Sequence, residues 1–286
     1  MLALLLVMIE RSCRDIDVVS DPAQTERFAR TARLLADLAG AWLRECYNNV
    51  QQVEFKPPQP GAAPNSNPVS GSDLDVETML RARLRSLHPD HAIIGEEMTR
   101  SSPAAPYTWV IDPVDGTTNF LNGLPLFAVS VGLLYKGRPL VGAIWCATTH
   151  EFRPGVYHGI ADGDLQFDGQ LLIRRAQQPW RGLAAEPGRA PTYGALWDTR
   201  VFGCATLEFA WVAAGLLRLA YIPRPALWDV VAGLALLRAC GCEALTRGAH
   251  GWQPLPDFKV SADLARWREP LLIGAPSDLE RAVRSA

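Results

Sequence analysis

The chain has 286 residues, 48% of them hydrophobic, enough to bury a full core in one compact enzyme-sized unit of two subdomains. Its 28 Lys and Arg nearly match its 30 Asp and Glu, leaving a formal net charge of -2. That balance excludes a basic stripe able to neutralise a nucleic-acid backbone or an anionic membrane, so a small soluble partner is expected.

The apolar opening, residues 1–9, resembles the hydrophobic part of a signal peptide, yet no basic residue precedes it and no small-x-small cleavage site follows. It reads as a packed or misassigned start, with residues 1–20 open as to whether they belong to the native chain. The run is too short to span a bilayer, and nothing later reaches about 20 consecutive apolar residues. The six cysteines (Cys13, Cys46, Cys146, Cys204, Cys240 and Cys242) sit in apolar surroundings, and Cys240-x-Cys242 has no histidine pair nearby. They read as reduced packing residues of a cytoplasmic protein and disfavour a zinc or redox protein.

From 25 to 47, Phe28, Leu35, Leu38, Ala39, Trp42, Leu43 and Cys46 recur at helical spacing and predict an amphipathic helix over a sheet. Residues 57–72 are rich in Pro, Gly, Asn and Ser and predict a loop. A second helix starts near Ser72, buries Val76, Met79, Leu80, Leu84 and Leu87, and stops at Pro89. Strands are expected at 92–95, 108–111, 128–135 and 140–145, with Lys136-Gly137-Arg138-Pro139 as the turn between the last two. After a less legible middle, 204–219 and 230–240 are apolar nearly all round, as buried helices are. Helices and hairpins together indicate an α+β arrangement.

Four segments bring carboxylates to the ends of these elements: Asp73 with Glu77, Glu96-Glu97, Asp112-Pro113-Val114-Asp115-Gly116-Thr117-Thr118, and Trp228-Asp229. Alone, each has a plainer reading. Ser70-x-x-Asp73 and Ser72-x-x-Asp75 both fit a capping box, Asp229 suits an N-cap, and Asp-Pro-x-Asp-Gly suits a turn. Yet the long segment leaves an apolar strand and enters a helix, a junction whose N–H groups favour an anion such as phosphate. Carboxylates three apart, with the Val114 carbonyl between them, supply the oxygen ligands magnesium requires. With Glu96 and Asp229 added, two ions about 3.5 to 4 Å apart suit phosphate ester hydrolysis.

Gly95-Glu96-Glu97, residues 109–120 from Trp109 to Phe120, and Trp228-Asp229-Val230-Val231-Ala232-Gly233 closely resemble, in order and spacing, the inositol monophosphatase family of magnesium-dependent, lithium-sensitive phosphatases. Ser70-x-x-Asp73-x-x-x-Glu77 resembles its Thr-x-x-Asp-x-x-x-Glu segment, and Gly203-Cys204-Ala205 its Gly-Ser/Thr-Ala segment. The resemblance covers about residues 25 to 275. It implies a layered α/β/α/β/α sandwich of the inositol monophosphatase and fructose-1,6-bisphosphatase type, with an N-terminal α+β subdomain over 1–165 and a C-terminal one over 166–286. It also implies a homodimer. Glu96, Asp112 and the Val114 carbonyl would hold one magnesium ion, and Asp112, Asp115 and Asp229 another, with two or three ions in all. Glu96, Thr117 and Asp73 would activate water. Gly116, Thr117, Thr118, Gly203, Cys204 and Ala205 would meet the phosphate or substrate, and Glu97 is left out of the ligand set.

The chain departs from the family in places. Ser70 replaces a threonine, and Lys56 is the nearest candidate for a lysine usual in the preceding loop. Ile222 stands where inositol-specific members carry a glutamate, which leaves Glu208 or Arg224 to recognise the substrate or points away from myo-inositol phosphate. The implied reaction is hydrolysis of a sugar, polyol or amino-alcohol monophosphate, with inositol phosphate, fructose bisphosphate and histidinol phosphate as named possibilities. A nucleotide bisphosphate is less expected because Thr118 stands where relatives with that activity carry lysine. The alternative is a binding or regulatory protein that keeps the phosphatase fold.

Overall fold

A computed structural model describes residues 21–47, 53–55, 68–98, 105–176, 181–187, 193, 195–261 and 263–285. The expectations for residues 1–20, Cys13, Lys56 and most of the proline-rich stretch lie outside them.

Helix α1 (Pro22–Cys46) starts where Asp21 accepts the Ala23 N–H at 3.0 Å and Pro22 presets the first turn. Its buried stripe runs through Phe28, Ala32, Leu35, Ala36, Ala39 and Leu43. Leu38 and Trp42, expected on that stripe, are exposed, because small alanines set the contact line and these two fall on its flank. Strands β1 (Val53–Phe55) and β2 (Pro68–Ser70) pair antiparallel and lead into α2 (Gly71–Leu87). Val76, Leu80 and Leu84 bury one face of α2. Leu87, expected there, lies past the last packed turn and is exposed.

Both helices cover one face of a sheet ordered β3 (Ala92–Gly95), β4 (Tyr107–Asp115), β5 (Ala128–Tyr135), β6 (Arg138–Cys146), β7 (Gly155–Ile160), β8 (Leu165–Phe167) and β9 (Gln170–Leu171). Only β3 and β4 run parallel; the other neighbours are antiparallel. The β5–β6 turn is tighter than expected. Lys136 and Gly137 have φ of 49° and 88°, a left-handed pair suited to a two-residue hairpin, and Arg138 and Pro139 already belong to β6.

On the other face lie α4 (Ala205–Ala214) and α5 (Leu227–Ala239), with the short α3 (Thr117–Leu121) preceding them at the end of β4. Helix α4 ends before 219, since Gly215 adopts φ of 78° and Leu219 opens β12 (Leu219–Ile222). Helix α5 starts earlier than 230, which makes Asp229 its third residue rather than a cap. A Cβ on Gly142 would lie 2.1 Å from the Ala232 carbonyl oxygen and one on Gly132 would lie 2.7 Å from the Ala232 nitrogen, so these glycines let α5 rest directly on the sheet.

Beyond these helices a second sheet is ordered β11 (Asp198–Arg200), β10 (Leu183–Ala185), β12, β15 (Leu271–Gly274), β13 (Glu243–Gly248) and β14 (Gly251–Pro254). Its outer face packs Trp197, Leu219, Leu245 and Leu272 against Leu279 and Ala282 of α6 (Pro276–Ser285). The layers are therefore α/β/α/β/α, as expected for an α+β fold of this type, and the two sheets sandwich α4 and α5. Among the described residues no helix is long and apolar enough to cross a membrane.

Candidate active site

Parallel pairing of β3 with β4 sets Gly95 opposite Ile111, so the next residues, Glu96 and Asp112, emerge side by side. Strand β4 runs through the Asp-Pro-x-Asp motif, with a register break against β5 between Asp112 and Asp115. At that break Asp112 turns back to accept the Val114 N–H at 3.0 Å. Gly116 follows with φ of 85°, and a Cβ there would lie 2.9 Å from the Leu126 carbonyl oxygen, so the turn into α3 demands glycine.

Asp115 is joined to the start of α4, where the Thr206 N–H donates to its carboxylate at 2.5 Å and the Cys204 thiol donates to its carbonyl at 3.4 Å. This brings Cys204 against Asp115 and Gly116, with Gly203 beside Asn119 of α3. Asp229 accepts the Ala226 N–H at 2.7 Å, closing the first turn of α5. Two further bonds lock that turn in place: Thr206 Oγ1 to the Asp229 carbonyl at 3.3 Å, and Ser130 Oγ to the Trp228 carbonyl at 3.1 Å.

Asp73 forms a capping box, accepting both the Ser70 N–H at 2.9 Å and the Ser70 hydroxyl. The second box considered, Ser72-x-x-Asp75, is not formed, because Ser72 already lies within α2. The other Asp73 oxygen faces the Thr117 hydroxyl at 3.2 Å, and that hydroxyl also stands 2.9 Å from the Val114 carbonyl. Thr118, next along α3, is exposed.

Negative charge dominates the site. Burial pushes Asp112 well above the usual carboxylate range, and the charges of Glu96, Asp115, Asp229 and Asp73 push it further. Asp229 is raised well above its ordinary value by burial, then by Asp115 and Glu96, against the lowering pull of the Ala226 N–H and of Arg268. Asp115 and Asp73 are raised by burial, each opposed by its own hydrogen bonds. The carboxylates that follow β3, lie in β4 and open α5 thus feel one another's charge. Among the described residues no three His, Cys, Asp or Glu side chains stand as a closed ligand group, and Asp112, Asp115 and Asp229 each turn one oxygen to a main-chain N–H. Oxygen donors of net negative charge fit a hard divalent cation, whose charge would offset the repulsion, and do not fit a soft metal.

Several residues of the site had no assigned role in the sequence. Glu77 and Arg81, both buried on α2, pair at 2.7 Å. Glu77 also accepts the N–H groups of Glu97 at 2.7 Å and Met98 at 3.0 Å, fastening the chain just after Glu96. An i,i+4 acid–base pair usually marks a solvated helix face, so spacing alone gave no sign of burial. Asn119 donates to the Leu126 and Phe202 carbonyls at 2.7 and 2.8 Å, tying α3 to the loop that carries Gly203. Ile222 is buried in β12 opposite Leu271.

The profile of the inositol monophosphatase family matches residues 24–272. A fructose-1,6-bisphosphatase/inositol-1-monophosphatase of Aquifex aeolicus is 26% identical over 233 residues, covering 76% of this chain and 84% of that one. The Nus factor SuhB of Pseudomonas aeruginosa is 34% identical over 199 residues, covering 60% of this chain and 70% of that one. Among solved structures, the extragenic suppressor protein suhB from Bartonella henselae superposes with a TM-score of 0.71 at 25% identity, covering 88% of this chain and 95% of that one.

Proposed function

The chain belongs to the inositol monophosphatase family, whose members are phosphoric monoester hydrolases, and on that premise we propose that it hydrolyses a small phosphate monoester with magnesium held by Glu96, Asp112, the Val114 carbonyl, Asp115 and Asp229. The observation that carries this reading is the set of mutually repelling carboxylates, Glu96 after β3, Asp112 and Asp115 in β4 and Asp229 in α5, beside the Thr117–Asp73 pair. Two or three ions bound there would supply positive charge that offsets the repulsion, polarises the phosphoryl group and makes water a better nucleophile at neutral pH.

The protein's own groups do the positioning. The Thr117 hydroxyl has one proton to give, and once the Val114 carbonyl serves as a ligand, Asp73 Oδ1 is left as its acceptor. The hydroxyl can then take a proton from the attacking water as its own proton passes to Asp73 Oδ1, with Glu96 sharing in the activation. Gly116, Thr117, Thr118, Gly203, Cys204 and Ala205 line the phosphate side. In this reading the ions lie between the 1–165 and 166–286 subdomains of a cytoplasmic homodimer, and the free thiols Cys46, Cys146, Cys204, Cys240 and Cys242 agree with a reducing compartment.

Phosphate release from a panel of monoesters, with magnesium and in excess chelator, tests the proposal. Full activity in chelator would overturn it. A second reading, a regulatory protein on the same fold, draws on the likeness to the Nus factor SuhB, and it is favoured if no monoester is turned over while the fold is intact.

A further inference from the structure

We propose that Arg268, together with Arg224, recognises a second anionic group on the substrate, so that the substrate class is a phosphate monoester carrying another phosphate or a carboxylate. This rests on the phosphatase reading above and narrows its substrate.

Arg268 is half-buried and stacks on Trp228, the residue before Asp229, with its guanidinium carbon 4.7 Å from the ring centroid. Nη1 is anchored to the carbonyls of Ala265 at 3.2 Å and Trp267 at 2.7 Å. Nε and Nη2 meet no hydrogen-bond partner and no carboxylate within ion-pair distance among the described residues. The plane of the group is thus fixed by packing and by main-chain acceptors, while the edge able to grip an oxyanion in a fork is left over.

The charge of Arg268 couples to Asp229 and Glu96, which sets it at the rim of the carboxylate site. It also feels the like charge of Arg224, an exposed residue two positions after Ile222 with no ion-pair partner among the described residues. An oxyanion bound by both arginines would offset that like-charge interaction. Ile222 pairs with Leu271, so Arg224, just after β12, and Arg268, just before β15, flank the same end of those two strands.

Steady-state kinetics with magnesium, using fructose 1,6-bisphosphate, 3-phosphoglycerate and glycerol 2-phosphate as probes, tests this. The unmodified enzyme should favour one of the first two by kcat/KM over glycerol 2-phosphate, and which one it favours separates a phosphate from a carboxylate as the second group. Arg268→Gln should raise KM for the favoured probe on the order of ten- to a hundredfold, as loss of a charge-assisted bond implies, with kcat little changed and a much smaller effect on glycerol 2-phosphate. Arg268→Lys should recover part of the loss, and Arg224→Gln, at an exposed position, should act in the same direction without affecting the fold. An equal loss on all three probes would mean that Arg268 serves only the carboxylates or the fold, and would overturn the proposal. So would an unmodified enzyme indifferent to the second anion. An enzyme that hydrolyses none of the probes or any panel monoester would instead defeat the phosphatase reading itself.

Discussion

Glu77 and Arg81 form a sealed ion pair at 2.7 Å whose remaining bonds hold the main chain of Glu97 and Met98, the segment that follows Glu96. Removing one partner leaves an unpaired buried charge. Arg81→Met should therefore cost about 3 to 5 kcal/mol of stability. Arg81→Lys should cost less, since it keeps the charge and loses the bond to the Met98 carbonyl. Denaturant unfolding read by midpoint and slope checks both, and near-equal stability of all three proteins would mean the pair is solvated.

Asp115→Asn and Asp229→Asn should each lower turnover on the order of a hundredfold or more, because each removes an anionic ligand from a hard-cation site. The fold should survive, since an amide oxygen can still accept the Thr206 or Ala226 N–H. In chelator the variants should melt no lower than the unmodified protein, because a repelling charge is gone. Melting curves and phosphate release together decide it, and wild-type turnover in either variant would remove that residue from the ligand set.

Thr117→Ala and Asp73→Asn should lower turnover more than they weaken magnesium binding, because the pair positions water. Asp73→Asn should also cost about 1 kcal/mol, since Asp73 closes the capping box with Ser70. Calorimetric titration of magnesium alongside turnover separates these effects. Normal turnover in both variants would reduce Asp73 to a helix cap.

The buried histidines should subtract stability as pH drops from about 6.5 toward 4, against the raised carboxylates of the site, which add stability over the same range. Burial lowers His158 and His91 to about 4, and His88 is also lowered by burial. Their folded values lie below the unfolded one, so the unfolded chain binds more protons in this window and gains as pH falls. For His158, which accepts the Gly169 N–H at 3.1 Å and is 7% exposed, the slope approaches at most about 1.4 kcal/mol per pH unit. The half-buried His91 contributes less because solvent screens it. His158→Gln should therefore raise stability at pH 4 relative to pH 6.5 in comparison with the unmodified protein, and an unchanged difference between the two pH values would show that His158 takes up no proton on unfolding.

Myo-inositol 1-phosphate should be a poor substrate, since an apolar side chain at 222 leaves a substrate hydroxyl unpaired at a cost of about 1 to 3 kcal/mol. Ile222→Glu should not simply restore the contact. Ile222 is 6% exposed and packed in the core between α5 and the second sheet, so an unpaired carboxylate there also destabilises. Preference of the unmodified enzyme for myo-inositol 1-phosphate over every other monoester would show that another residue supplies the contact.

The main helices and the central strands of the first sheet were legible because each carries its own local period: the α1 stripe, the capping box before α2, the apolar runs of β3 to β6. The carboxylate motifs were legible because they are short and contiguous, and their order along the chain already resembled one family. What only the tertiary structure decided was what joins them. Parallel registry of β3 with β4 set Glu96 beside Asp112, and glycines at 132 and 142 let α5 bring Asp229 down onto the same sheet. The second sheet, with strands as short as three residues, stayed hidden because such strands have too few positions to show an alternation, and their pairing is set by partners distant in sequence. The same limit hid the Glu77–Arg81 clamp and the guanidinium edge of Arg268: a charged residue reads as solvated until a fold puts a second chain segment over it.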